Sequence, residues 1–93
     1  MKVIVQFEAQ LQQLAGVPQA EVEGNEGDTV LQSVENSLGD NSDLRQRLIG
    51  PDGHLLPTVL IFLNEEPVNS VDASSRQVSD SDTILLLPPI SGG

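Results

Sequence analysis

Thr83-Ile84-Leu85-Leu86-Leu87-Pro88-Pro89-Ile90-Ser91-Gly92-Gly93 is the stretch on which the reading of this chain turns. Its first five residues are β-branched or aliphatic and carry no charge. Successive side chains of a strand point to opposite faces, so Ile84 and Leu86 oppose Leu85 and Leu87, and both faces are apolar. The turn-forming Ser79, Asp80, Ser81 and Asp82 precede the run. Pro88 and Pro89 end it, because proline has no N–H to give to a ladder. The residues beyond lose bulk steadily, down to two glycines.

Working outward, residues 58–63 form a second nearly continuous apolar run, closed by Asn64, Glu65, Glu66 and Pro67. Its shortness and β-branching point to a central strand, with Val59, Ile61 and Leu63 towards the core and Leu60 and Phe62 away from it. Residues 2–8 alternate, with Val3, Val5 and Phe7 on one side, and read as a half-buried strand. Residues 19–23 alternate again and suit a strand antiparallel to the first. Gly24, Asn25, Glu26 and Gly27 then break the chain. Between these strands, residues 9–15 are either a brief helical turn or the loop of a hairpin, stopped by Gly16 and Pro18.

One amphipathic helix is clear. Val30, Leu31, Val34 and Leu38 recur at helical spacing behind Asp28 or Thr29, either of which is a good N-cap, and Gly39 stands where a C-cap glycine belongs. A shorter helical turn is expected after Asp43, where Leu44 and Leu48 lie four apart. Residues 68–77 read as polar loop with room for one short edge strand. The order is therefore strand, strand, helix, strand, strand. An α+β fold follows, a mixed sheet with one main helix packed across one face. A long crossover lets the first and last strands lie parallel at the centre. That arrangement is a β-grasp, with residues 1–87 as its body and residues 88–93 as a flexible tail.

Composition excludes several kinds of chemistry. Fourteen acidic residues against four basic ones give the 93-residue chain a formal charge of −10. Such a field repels nucleic acid and anionic membrane, and it either steers a basic protein partner or keeps the domain soluble. There is no cysteine, hence no thiolate nucleophile, disulfide or Cys-ligated metal. No apolar stretch reaches the length of a membrane span, and a cytoplasmic location is expected. The single histidine, His54, follows a Pro-Asp-Gly turn and lacks the neighbours that a metal or general-base site needs. Asp80 and Asp82 are too few for a calcium loop and are better explained as turn residues. Residues 24–27 lack the lysine of a phosphate loop. No catalytic residue, metal site or resident cofactor is expected, and without a nucleophile–base pair the chain reads as no enzyme.

What remains is the tail. Six residues from Pro88 reach about 20 Å when extended. Gly92 and Gly93 can thread a channel that any larger residue would block. A terminal carboxylate on such a tail is a reactive handle that another enzyme can activate.

Three segments carry a resemblance to a known family. Residues 1–16 open with a strand and a Leu-Ala-Gly turn. Residues 26–30, Glu-Gly-Asp-Thr-Val, start the helix. Residues 80–93 supply the final strand, the Pro-Pro bend and the Gly-Gly tail. Together with residues 63–66 they make the chain resemble the MoaD/ThiS family of ubiquitin-like sulfur carriers, and more closely its MoaD-like branch.

The resemblance implies a definite cycle. A ubiquitin-activating-like enzyme adenylates the Gly93 carboxylate with ATP, and sulfur then replaces AMP to give a thiocarboxylate. Ile90, Ser91, Gly92 and Gly93 thread the partner's channel. The acceptor in the MoaD branch is the large subunit of molybdopterin synthase. Two departures bear on the pathway. Residues 43–58 are longer than the plainest MoaD pattern and are similar to carriers serving cysteine synthesis, and Leu87 stands where an aromatic residue often precedes Pro-Pro. Carriers for cysteine, thiamine or tRNA thiolation, and ubiquitin-like protein modifiers, are the alternatives.

The helix covers one face of the sheet only. The other keeps an apolar patch of Leu60, Phe62, Leu85 and Leu87 that runs into Pro88 and Pro89 at the base of the tail. Such a patch commonly marks a protein contact, unless a long loop lies over it.

Overall fold

A computed structural model describes residues 1–89, and in it the last strand lies in the middle of a five-stranded sheet. The elements in chain order are β1 (Lys2–Phe7), α1 (Gln10–Ala15), β2 (Gln19–Glu23), α2 (Val30–Leu38), α3 (Ser42–Leu48), β3 (Leu60–Leu63), β4 (Glu66–Val68), α4 (Ser70–Ala73) and β5 (Thr83–Leu87). The strand order is β2-β1-β5-β3-β4. β1 and β5 run parallel with Ile4 opposite Thr83, and every other neighbouring pair is antiparallel. This is the β-grasp topology expected from the order of elements.

Side-chain alternation decides which face is dry. Val3, Val5 and Phe7 of β1, Ile61 and Leu63 of β3, and Ile84 and Leu86 of β5 are all buried on the inner face. α2 closes over them with Val30, Val34 and Leu38, and α3 adds Leu44 and Leu48. Each of these aliphatic side chains contributes about 1.5–3 kcal/mol on full burial, and together they supply what a core with one aromatic ring must do without.

α2 begins where the sequence offers two caps, and Thr29 is the one used. Its hydroxyl accepts the Gln32 N–H at 3.2 Å while the Gln32 side chain accepts the Thr29 N–H at 2.8 Å, a reciprocal capping box. Asp28 turns back instead and accepts the Asn25 N–H. α3 is capped by Asn41 and is a full helix of seven residues rather than a single turn.

Two expectations need correcting, and one open alternative is resolved. Residues 58–63 are not all strand. Val59 N–H donates to the Leu56 carbonyl at 3.1 Å, which closes a turn around Pro57 and Thr58 and delays β3 to Leu60, although Val59 itself stays buried. Of the two readings of residues 9–15 the helical one holds, as α1 from Gln10 to Ala15, even though Ala9 before it has φ 53° and no side-chain cap. Residues 68–77 hold more than loop. β4 forms the edge strand, and Asn69 caps the short helix α4 by accepting the Asp72 N–H at 2.8 Å. Buried Ala73 and Val78 pin this segment, and Val78 N–H and the Arg76 carbonyl hydrogen-bond to Asp28 and Val30 at the start of α2.

β3 and β4 are joined by Asn64 and Glu65 alone, both at positive φ (50° and 73°). That is the two-residue hairpin whose twist matches the strands it connects.

Candidate functional site

The outer face of the sheet carries the four side chains singled out from the sequence. Leu60 and Phe62 project from β3, Leu85 and Leu87 from β5. The register sets Leu60 against Leu87 and Phe62 against Leu85, so the four form a block across two hydrogen-bonded strands. On the far side of β5, Gln6 lies beside Leu85. Leu60 is 42% exposed and the other three are half-buried. A shallow depression of about 700 Å³ opens beside them, lined by Phe62, Leu85, Thr83, Gln6, Asn64 and Glu65. Towards β2 the face changes character, because Glu21 and Glu23 stand opposite Ile4 and Lys2.

β5 stops at Leu87. Pro88 is half-buried and Pro89 exposed, and both line a second, narrower groove of about 320 Å³. Its walls are Leu14 of α1, Gln46 and Arg47 of α3, and Leu56. α1 and α3 are held together there by Asn41, whose side-chain amide donates to the Leu14 carbonyl at 2.8 Å. Sequence reasoning missed this groove. Its residues come from four separate segments, and no periodicity connects them. Ile90, Ser91, Gly92 and Gly93, on which the tail-threading and carboxylate assignments fall, lie outside the described residues.

Electrostatics is dominated by unpaired carboxylates. Three ion pairs form among the described residues: Arg76–Glu66 at 2.7 Å, Arg45–Glu35 at 2.9 Å and Lys2–Glu21 at 3.9 Å. All are exposed, so each is worth at most about 1 kcal/mol. Asp80 has its carboxyl held below the usual carboxylate range. The main cause is the hydrogen bond it accepts from the Lys2 backbone N–H at 2.8 Å; slight desolvation opposes, and the N-terminal amine, Ser81 and the Lys2 side chain assist. Asp82 accepts the Ser79 N–H at 2.7 Å and the Asn64 amide at 2.8 Å, while Asn64 accepts the Thr83 N–H at 2.9 Å. These two aspartates tie the end of the sheet opposite Leu87, and that is turn chemistry. His54 is exposed, in a loop closed by the Gly50 N–H to the His54 carbonyl. Among the described residues no three of His, Asp and Glu gather into a metal site, and no helix is long and apolar enough to cross a membrane.

A body with an open apolar face and a strand that runs into Pro-Pro can present a tail, and comparison with known proteins gives that arrangement its relatives. The model of the ThiS family matches residues 5–93. The chain belongs to the ThiS family. The match runs through the Gly-Gly end as well as the body of this ThiS-family chain.

Among solved structures, SAMP1 of Haloferax volcanii superposes with a TM-score of 0.88 at 26% identity, covering 100% of both chains. CysO of Amycolatopsis orientalis, solved in complex with BexX, gives 0.79 at 25% identity, over 98% of this chain and 99% of the other. A Pyrococcus furiosus protein named as a candidate molybdopterin converting factor, subunit 1, gives 0.74 at 26% identity, over 97% and 99%. Curated protein sequences yield no match. Three differently named relatives at nearly equal identity place the chain in the family without separating its branches.

Proposed function

We propose that this ThiS-family chain is a sulfur carrier whose reactive group is the Gly93 carboxylate. A ubiquitin-activating-like enzyme binds the body, and the carboxylate attacks the α-phosphorus of ATP. A C–O–P bond forms and pyrophosphate leaves. Hydrosulfide released by a sulfur donor then adds to the acyl carbon and AMP leaves, which puts a thiocarboxylate on Gly93. The chain itself holds neither ATP nor metal. It contributes the carboxylate, a narrow tail of Ile90, Ser91, Gly92 and Gly93, and an apolar grip of Leu60, Phe62, Leu85, Leu87, Pro88 and Pro89. The observation that carries this reading is the family match extending through the Gly-Gly terminus.

For the acceptor we favour the large subunit of molybdopterin synthase, with this chain as the non-catalytic small subunit. The likeness to the Pyrococcus furiosus protein supports it. The likeness to SAMP1, a small archaeal modifier protein, favours a second reading in which the activated tail is joined to other proteins.

Intact-mass measurement decides the shared chemistry. After incubation with the activating enzyme, ATP and a sulfur donor, the chain gains the mass difference between sulfur and oxygen, and a Gly93 deletion gains nothing. A wild-type chain that stays unloaded with its own organism's activating enzyme overturns the proposal. Conjugates that survive reducing electrophoresis distinguish the modifier reading.

A further inference from the structure

Arg47 is the exception in the charge pattern. Of the four basic side chains, Lys2, Arg45 and Arg76 each lie within 4.0 Å of a carboxylate, while Arg47 has no such partner among the described residues. Asp43, one helical turn earlier on α3, does not pair with it, although i,i+4 spacing allows that. The position of this unmatched cation is specific. It lines the groove walled by Leu14, Leu56, Pro88 and Pro89, at the point where the chain leaves the sheet. The chain has 14 acidic side chains, yet among the described residues none lines this groove. Among the described residues Arg47 therefore meets no local anion, and the acid-rich remainder of the surface gives way here to a lining of apolar and neutral polar side chains with one arginine among them.

We infer that this groove is a second docking point for the activating enzyme, and that Arg47 receives a carboxylate from the rim of the channel that admits the tail. The inference rests on the carrier reading proposed above. Any enzyme that draws Gly93 into a channel must close its rim around Pro88 and Pro89, which brings rim side chains against Arg47. A guanidinium beside an apolar pocket is the type of anchor that dominates protein interfaces, since it pairs bidentately with a carboxylate while its stem covers apolar surface. The charge logic also gives direction. A chain of −10 selects a broadly basic partner, so one acidic side chain on that partner, opposite the lone cation at the tail's base, fixes the orientation in which the tail enters. Arg47 is thus a positioning residue.

The test is ATP–pyrophosphate exchange by the purified activating enzyme of the same organism, with full-length carrier as the varied substrate. Arg47→Gln should raise the KM for carrier roughly tenfold, with kcat nearly unchanged, because the exposed side chain aids docking and not the reaction at Gly93. Arg47→Lys should recover part of the loss, since charge returns without the planar fork. Arg45→Gln, which removes a cation already paired to Glu35 on the same helix, should leave KM within twofold of wild type. All three variants should melt within a few degrees of wild type, because neither arginine is buried and the Arg45–Glu35 pair is exposed. If wild type supports exchange and Arg47→Gln matches Arg45→Gln, the docking inference is wrong and the carrier reading stands. If wild type supports no exchange, both fall.

Discussion

Phe7→Ala and Phe62→Ala remove the same ring from opposite faces of one sheet, and their costs should differ severalfold. Phe7 is 2% exposed and sits in the core beneath the helices. Its loss forfeits the transfer of the ring and leaves a void that the neighbours fill only in part, about 3–5 kcal/mol. Phe62 lies on the outer face, half-buried between Leu85 and Pro67, with an open depression beside it. Truncation there encloses no void and forfeits part of the burial term alone, about 1 kcal/mol. For a domain of this length 1 kcal/mol moves Tm by about 4–8 °C. Circular-dichroism melts should therefore place Phe62→Ala about 5 °C below wild type and Phe7→Ala on the order of 20 °C below. Phe7→Leu, which keeps most of the volume, provides a foldable intermediate should Phe7→Ala fail to fold. In sulfur loading the order reverses between variants that fold: Phe62→Ala should load poorly and Phe7→Leu well. Equal melting shifts, or full loading of Phe62→Ala, would refute the division of the sheet into a structural face and a spare one.

Three further expectations concern the scaffold. Thr29→Ala removes the hydroxyl that accepts the Gln32 N–H and should cost about 1 kcal/mol in urea unfolding, with Thr29→Ser close to wild type. Ser33 is buried in α2 and its hydroxyl has no partner among the described residues, so Ser33→Ala should stabilise by about 1 kcal/mol; a lower urea midpoint would show that the hydroxyl is satisfied. Asp80 has a folded pKa below its unfolded one, so it stabilises above the ordinary carboxylate range and stops doing so as pH falls through the folded value. Asp80→Asn should therefore lower Tm above about pH 4 and converge with wild type at more acid pH; parallel curves would exclude the Lys2 N–H contact as the cause.

The parts of the fold legible in the sequence are those where burial imposes a period. β1 alternates because it separates two environments, β5 reads as a short apolar run because both its faces are apolar, and α2 shows its stripe because one side is dry. Thr29 marks its start through the hydrogen bond its hydroxyl accepts, and Gly39 its end through a positive φ of 53°. The short elements were only partly legible, for the converse reason. α1 follows Ala9 at a positive φ without a side-chain cap, so its start has no local signal, while Gly16 marks its end in a left-handed conformation and buried Leu11 pins it to the core. α4 hides in a polar segment, and only the Asn69–Asp72 contact betrays it. The Leu56–Val59 turn that trims β3 depends on a Pro57 that reads equally well as a strand's leading residue. On the outer face, Leu60, Phe62, Leu85 and Leu87 could be set on one side by alternation, while their register came from the structure. The groove at Arg47 could not be read that way, since helix α3 and residues 88–89 meet only after the sheet has formed.

The central place of β5 has a consequence during synthesis. It hydrogen-bonds to β1 on one side and β3 on the other, yet it is the last strand to emerge from the ribosome. Until then the nascent chain has two separate strand pairs with raw inner edges, and a lone pair of strands is marginal in water. Closure waits on contacts between opposite ends of the polypeptide, which are the slow kind to find. A nonsense codon or ribosomal stall anywhere upstream of Thr83 therefore releases no partly working product but an open chain, fit for chaperones and proteases.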